Sequence, residues 1–226
     1  MVNMAPITLT PDQVDDLIYS ARVGDLEALQ SDLSTLSVQY SVPQSVVIAS
    51  AIDTEPEEEG GTGSCLLHFP AANGNVEILT HLLSLLVQAP SSSALSKEDM
   101  AAVINLRNHS GNTALHWAAL NTHLECVKAL VEAGADVSIK NQAGLDAVFL
   151  AERADWSAQE EGQEQQEEGV EEVEVEIGAQ GEGEGAAAAG PVTKGRQVVE
   201  WLLAADKSDE AEGLSAANAG GGEEAK

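Results

Sequence analysis

Read for its apolar positions alone, the chain repeats itself. LIYSARVGDLEALQSDL from Leu17, LHFPAANGNVEILTHLL from Leu67 and LHWAALNTHLECVKALV from Leu115 carry apolar residues in the same order. Gly24, Gly74 and Thr122 fall in register, then Leu26, Val76 and Leu124, then Leu29, Leu79 and Val127. Each copy predicts a short helix, a turn and a second amphipathic helix, because apolar residues three and four apart share one helix face. A unit this small cannot bury that face alone, so the copies predict a stack.

The third copy, GNTALHWAALNTHLECVKALVEAGADVSIKN, is the most complete. Thr113 is placed to cap its first helix through the hydroxyl, and Leu115 and Ala118 supply the buried face. Leu124, Val127, Leu130 and Val131 form the stripe of the second helix, and Gly134 follows where a left-handed C-cap is expected. A fourth copy opens at NQAGLDAVFLAERA, with Gly144, Asp146 as cap, and Val148, Leu150 and Ala151 inward. Its second helix does not follow directly. Apolar spacing returns at GRQVVEWLLAAD, with Gly195 at the expected turn and Val198, Val199, Trp201, Leu202 and Leu203 behind it.

The intervening EQQEEGVEEVEVEIGAQGEGEG contains no Lys or Arg and is read as an insertion between the two helices of the last repeat. Val170 to Ile177 ends in strand-like alternation, but like charges at every second position oppose an isolated strand, so disorder in the free chain is expected. The first copy starts earlier than its apolar core. Thr10-Pro11-Asp12-Gln13 reads as a capping box with proline at the first helical position. SVPQSVVIASAIDTEPEEEGG reads as one long loop, and Ser96-x-x-Asp99 predicts an extra helix in the connector before repeat three. Pro70 stands where repeat three has Ala118. An interior proline costs about 3 kcal/mol, so that helix is expected to kink or to begin irregularly.

The spacing G-x-T-x-L-H at Gly111 to His116, with G-A-D at Gly134 to Asp136, resembles the ankyrin repeat. The resemblance implies an all-α solenoid of about four repeats with long loops. Repeat one covers about 10–50, repeat two about 60–90, repeat three about 108–140 and repeat four about 141–206. The acidic insertion interrupts repeat four at about 157–193, and a disordered tail is expected at 207–226. The resemblance gives His68 and His116, at one repeat position, a hydrogen-bonding role between layers rather than a metal or acid–base role.

Composition narrows function. Asp and Glu total 38 against 10 Lys and Arg, a formal net charge of −28. Such a chain repels phosphate backbones and anionic lipid and attracts basic partners, so neither direct nucleic-acid binding nor membrane binding is expected. Only 3% of residues are aromatic, which predicts a core of Leu, Val and Ala. The N-terminus lacks the basic and apolar regions of a signal peptide, and Ile78 to Ala89 is too short to span a bilayer. Cys65 and Cys126 have no framework or metal spacing and read as buried thiols of a reduced, intracellular protein. With no nucleophile elbow, phosphate loop, cysteine pair or HExxH helix, no enzyme, cofactor or metal is expected.

The partner-binding candidates follow from the register. Tyr19, Phe69, Trp117 and Leu150 occupy the position after the recurring histidine, which in ankyrin proteins borders the groove. Either they form a peptide-binding strip, as aromatic hot spots do, or they fill space between layers. Asn73, Asn112, Leu120, Asn121 and Arg153 are their groove neighbours. Asp12, Asp15, Asp16, Glu57, Glu58 and Glu59 are expected to rim the same side, framing an apolar floor for a basic amphipathic helix.

The degenerate first repeat, GNTALHWAAL, the wide loops and the acidic continuation are together similar to the fungal ankyrin-repeat chaperones dedicated to small-subunit ribosomal protein three. The likeness covers Leu17 to Arg153 and resumes at Gly195 to Asp206. The long Glu-rich insertion and Pro70 depart from that pattern. The resemblance implies a monomer that escorts one basic ribosomal protein, one to one, through cytoplasm and nucleus. A general ankyrin adaptor in signalling or transcription, with acidity serving solubility alone, is the alternative.

Overall fold

The computed structural model describes residues 7–87, 95–167 and 193–217, with side chains described outside 158–167 and 206–217. Among the described residues, ten α-helices follow in order: α1 (Pro11–Val23), α2 (Leu26–Tyr40), α3 (Gln44–Ser50), α4 (His68–Asn73), α5 (Val76–Val87), α6 (Lys97–Ile104), α7 (Ala114–Leu120), α8 (Leu124–Glu132), α9 (Ala147–Glu167) and α10 (Lys194–Ala217). Among the described residues, the only strand-type pairing is an isolated antiparallel bridge between Ile52 and Cys65.

The pairs α1/α2, α4/α5, α7/α8 and α9/α10 stack. First helices pack in the row α1, α4, α7, α9, while α5, α8 and α10 pack behind them. The core between the rows is aliphatic, with Leu17, Leu29, Leu33, Leu67, Leu79, Leu82, Leu115 and Leu130 fully buried. The helix-to-helix turns share one conformation. Gly24, Gly74 and Thr122 have φ of 87°, 72° and 57°, the left-handed region that favours glycine.

The caps follow the sequence closely. Thr10 and Gln13 close a reciprocal capping box on α1, and Ser96 and Asp99 close one on α6. Asp146 accepts from the Phe149 backbone N–H at 3.0 Å, and Gly134 takes the left-handed position after α8. At α7 the partner differs from expectation. The Thr113 backbone N–H donates to His116 Nδ1 at 3.2 Å, and the Thr113 hydroxyl lies 2.8 Å from the same nitrogen. The histidine, three residues on, serves in place of the Glu or Gln of a capping box.

Pro70 is accommodated by a late start. The α4 helix begins only at His68, and a tight His68 N–H to Cys65 O bond precedes it. Pro70 therefore falls in the first turn, where its missing N–H has no helical partner to lose.

Three expectations need correction. The stretch read as one loop after repeat one contains α3, whose Val46, Val47 and Ile48 are buried and which packs against both α2 and α5. Its β-branched run carries no helical period, so only packing reveals it. The α9 helix does not stop at 157 but runs to Glu167, and α10 continues through Ala217 into the stretch read as a tail. The first extension is rich in Gln and Glu and the second in Ala and Glu, residues whose helix propensity outweighs their polarity. The remainder of the insertion, 168–192, and of the tail, 218–226, lies outside the described residues. Gly195, finally, is not a turn but part of the first turn of α10. There it lets two helices cross closely, since a Cβ at Gly195 would lie 2.8 Å from Asp155 Cβ and 3.0 Å from the Ala151 carbonyl.

Candidate functional site

The recurring histidines are structural. The Cys65 backbone N–H donates to His68 Nδ1 at 3.1 Å, which leaves the ring proton on Nε2 to reach Asn112 O at 3.0 Å. His116 repeats this, accepting from Thr113 and reaching Leu145 O at 3.1 Å. Each ring thus ties one repeat to the loop that opens the next.

Burial pushes the His116 imidazole below its ordinary value, against the opposing pull of the Leu145 hydrogen bond. A depressed value in the folded state means that stability due to neutral His116 is complete above the unfolded-state value of about 6.5 and declines as pH falls below it. Urea midpoints at pH 7.5 and 5.5 should show a smaller acid-side loss in His116→Gln than in the parent. An identical loss in both would remove His116 from the pH response.

Between α7, α9 and the loops that precede them lies a cavity of about 380 Å³. It brings together Asn112, Trp117, Leu120, Leu150 and Arg153, five of the nine expected partner-binding residues. Trp117 and Leu120 come from α7, one turn apart, and Leu150 and Arg153 occupy the equivalent positions on α9. Trp117 is half-buried and borders open space, whereas Leu150 is buried as part of the floor.

Sequence reasoning missed Asn141. Its Oδ1 accepts the Ala143 and Leu145 backbone N–H groups, and its Nδ2 donates to Asn112 Oδ1 at 2.8 Å. Asn108 folds the preceding loop the same way, accepting from Ser110 and Asn112. The signal was present, since N-x-x-G occurs at both Asn108 and Asn141.

The other candidates lie elsewhere. Asn73 Nδ2 donates to Arg22 O at 2.9 Å, and Asn121 Nδ2 donates to Ala72 O at 2.8 Å. Both stitch the ends of neighbouring first helices. Phe69 is half-buried beneath the Arg22 guanidinium, 4.7 Å from the ring centroid. Tyr19 is 66% exposed on α1. Of the four residues expected to form one ladder, Trp117 and Leu150 line the cavity described above.

The acidic rim is also displaced. Asp12, Asp15 and Asp16 are exposed on α1, and Glu57, Glu58 and Glu59 form an exposed 3-10 turn after α3. None lines the Trp117 cavity. Asp15 instead borders a second cavity, of about 420 Å³, at the N-terminal end of the stack, with Leu9, Val14 and Ile52 as apolar wall. Asp53 and Glu55 join it there. Burial opposes the charge on Asp53, but hydrogen bonds from Thr62 and Glu55 prevail and hold its carboxyl below the usual carboxylate range. Asp15 and Trp117 thus border different cavities.

Among the described residues, no group of three or more His, Cys, Asp and Glu could hold a metal, and no helix is long and apolar enough to cross a membrane. The family model for ankyrin repeats (three copies) matches residues 17–141.

The chain belongs to the ankyrin-repeat family.

Ankyrin-repeat relatives differ in how much of the chain they match. It is 36% identical over 147 residues to the ankyrin repeat-containing protein YAR1 of Saccharomyces cerevisiae, a match covering 65% of each chain. It is 29% identical over 146 residues to the nuclear factor NF-kappa-B p105 subunit of Gallus gallus, covering 64% of this chain but 13% of that protein. Among solved structures it resembles, with a TM-score of 0.55 and 33% identity, a chain in the complex of the yeast ribosomal protein Rps3 with its chaperone Yar1. That match covers 73% of this ankyrin-repeat chain and 99% of the other.

Proposed function

We propose that this ankyrin-repeat protein is a dedicated, non-catalytic chaperone of the small-subunit ribosomal protein Rps3, which it binds one to one and shields before assembly into the small subunit. The observation that carries this reading is the likeness to a chain of the Rps3–Yar1 complex, which spans nearly the whole of that chain at 33% identity. The physics agrees with it. An unassembled ribosomal protein is built to bind RNA and is therefore basic, and a chain of net charge −28 can cover such a surface in place of phosphate. In the same proposal the pair travels from cytoplasm to nucleus, and the client leaves when ribosomal RNA outcompetes the chaperone.

Long-range charge speeds capture, while contacts in the cavities select the client. Calorimetric titration with Rps3 should give a one-to-one complex that weakens as salt is raised from 50 to about 300 mM, because the Debye length shrinks over that range. Failure to form a complex at the lower salt would overturn the proposal.

A further inference from the structure

In a chain with 38 carboxylates and 10 Lys and Arg, the cavity beside Trp117 stands apart in the side chains that line it. Among the described residues, no Asp or Glu lines it, and Arg153 is its one Lys or Arg. Other arginines are engaged: Arg107 donates to Gly111 O and Lys140 O, Arg196 pairs with Glu200, and Arg22 covers Phe69. The Arg153 guanidinium makes no hydrogen bond or ion pair to any described side chain or backbone group, and it is exposed. Beside it stand the ring of Trp117 and the aliphatic side chains of Leu120 and Leu150.

We infer that this cavity recognises a carboxylate carried next to a large apolar side chain, and that it sets the direction in which the partner segment lies. The apolar group packs on Trp117, Leu120 and Leu150, and the carboxylate takes the planar donor fork of Arg153. The basic part of the same partner then extends toward Asp15, Asp53 and Glu55 at the other end of the stack. A polyanion is disfavoured, since it would meet one guanidinium in a strongly negative chain. The inference rests on the partner-binding reading above and sharpens it. A uniformly basic guest would leave Arg153 opposed by like charge, so the guest must place an acid there.

Two measurements on the full chain test this. In the first, N-acetyl-leucine and its uncharged amide, N-acetyl-leucinamide, are titrated against the nitrogen-15-labelled protein. The carboxylate should shift the Trp117 indole N–H signal saturably and at least fivefold more tightly than the amide. Arg153→Gln should abolish the difference while leaving the rest of the spectrum in place. Equal responses to the two probes, no saturation, or a difference that survives Arg153→Gln would overturn the inference.

In the second, Arg153→Glu should weaken Rps3 binding at least tenfold, and one Asp→Lys or Glu→Lys change in Rps3 should restore it. Unchanged binding, or a loss that no such change restores, overturns the orientation. If the small carboxylate binds as described while Rps3 does not bind the parent chain, the chaperone reading falls and the carboxylate site stands. If Rps3 binds parent and variant alike and the small probes respond equally, the site falls and the chaperone reading stands.

Discussion

Replacing Leu115 with alanine is expected to lower the unfolding free energy by about 2–5 kcal/mol, the usual cost of emptying a packed leucine site. Leu115 is 1% exposed on α7, which has neighbours in its row on both sides, α4 and α9. Its side chain is part of the continuous buried cluster that runs from Leu9 in the first repeat to Leu202 in the last. A cavity there cannot close by a shift of one helix without loosening the adjacent layers, which places the cost toward the upper end of the range. Urea denaturation of the two proteins measures it. A midpoint within error of the parent would mean that the stack is not held at this layer, and the repeat register would have to be abandoned.

Trp117→Ala is expected to weaken Rps3 binding by about 2 kcal/mol, roughly thirtyfold, the scale of an aromatic hot spot. The ring is half-buried and borders the cavity, so part of its area remains to be covered by a guest. Burial within the free protein is what must be separated from burial by the partner. The urea midpoint of Trp117→Ala gives the first and calorimetric titration gives the second. Trp117→Phe, which keeps an apolar face of similar width, should retain most of the affinity. Full-strength binding by the alanine variant would remove this cavity from the client interface and leave the acidic N-terminal cavity as the remaining candidate.

The resemblance of short segments to one another was enough to recover most of the fold. The register of Leu29, Leu79 and Val127, the capping box at Thr10, the helix after Ser96 and the left-handed glycines Gly24, Gly74 and Gly134 all rest on contacts within a few residues, and each is present in the structure. The histidine bonds were expected from the resemblance to ankyrin repeats, and in the structure both rings meet the equivalent carbonyl of the following loop. Propensity was underweighted where charge was conspicuous, which is why α9 and α10 run further than expected. Helix α3 escaped because Val46, Val47 and Ile48 are held by two helices, α2 and α5, that no local pattern connects.

The functional surface divides along the same line. Trp117, Leu120, Leu150 and Arg153 were identifiable one at a time from their place in the repeat, and the structure does gather them. Their company was not identifiable. Whether acids or bases stand beside Trp117 depends on which loops and helices the stacking brings against it, across separations of tens of residues. Local spacing by itself determined that the chain forms stacked helix pairs and which positions each pair buries, because those depend on interactions three or four residues apart. Only the tertiary structure decided that Asp15, Asp53 and Glu55 share one cavity while the Arg153 guanidinium, with no partner among the described residues, lines another that no described Asp or Glu lines, because electrostatic fields depend on distance through space and not along the chain.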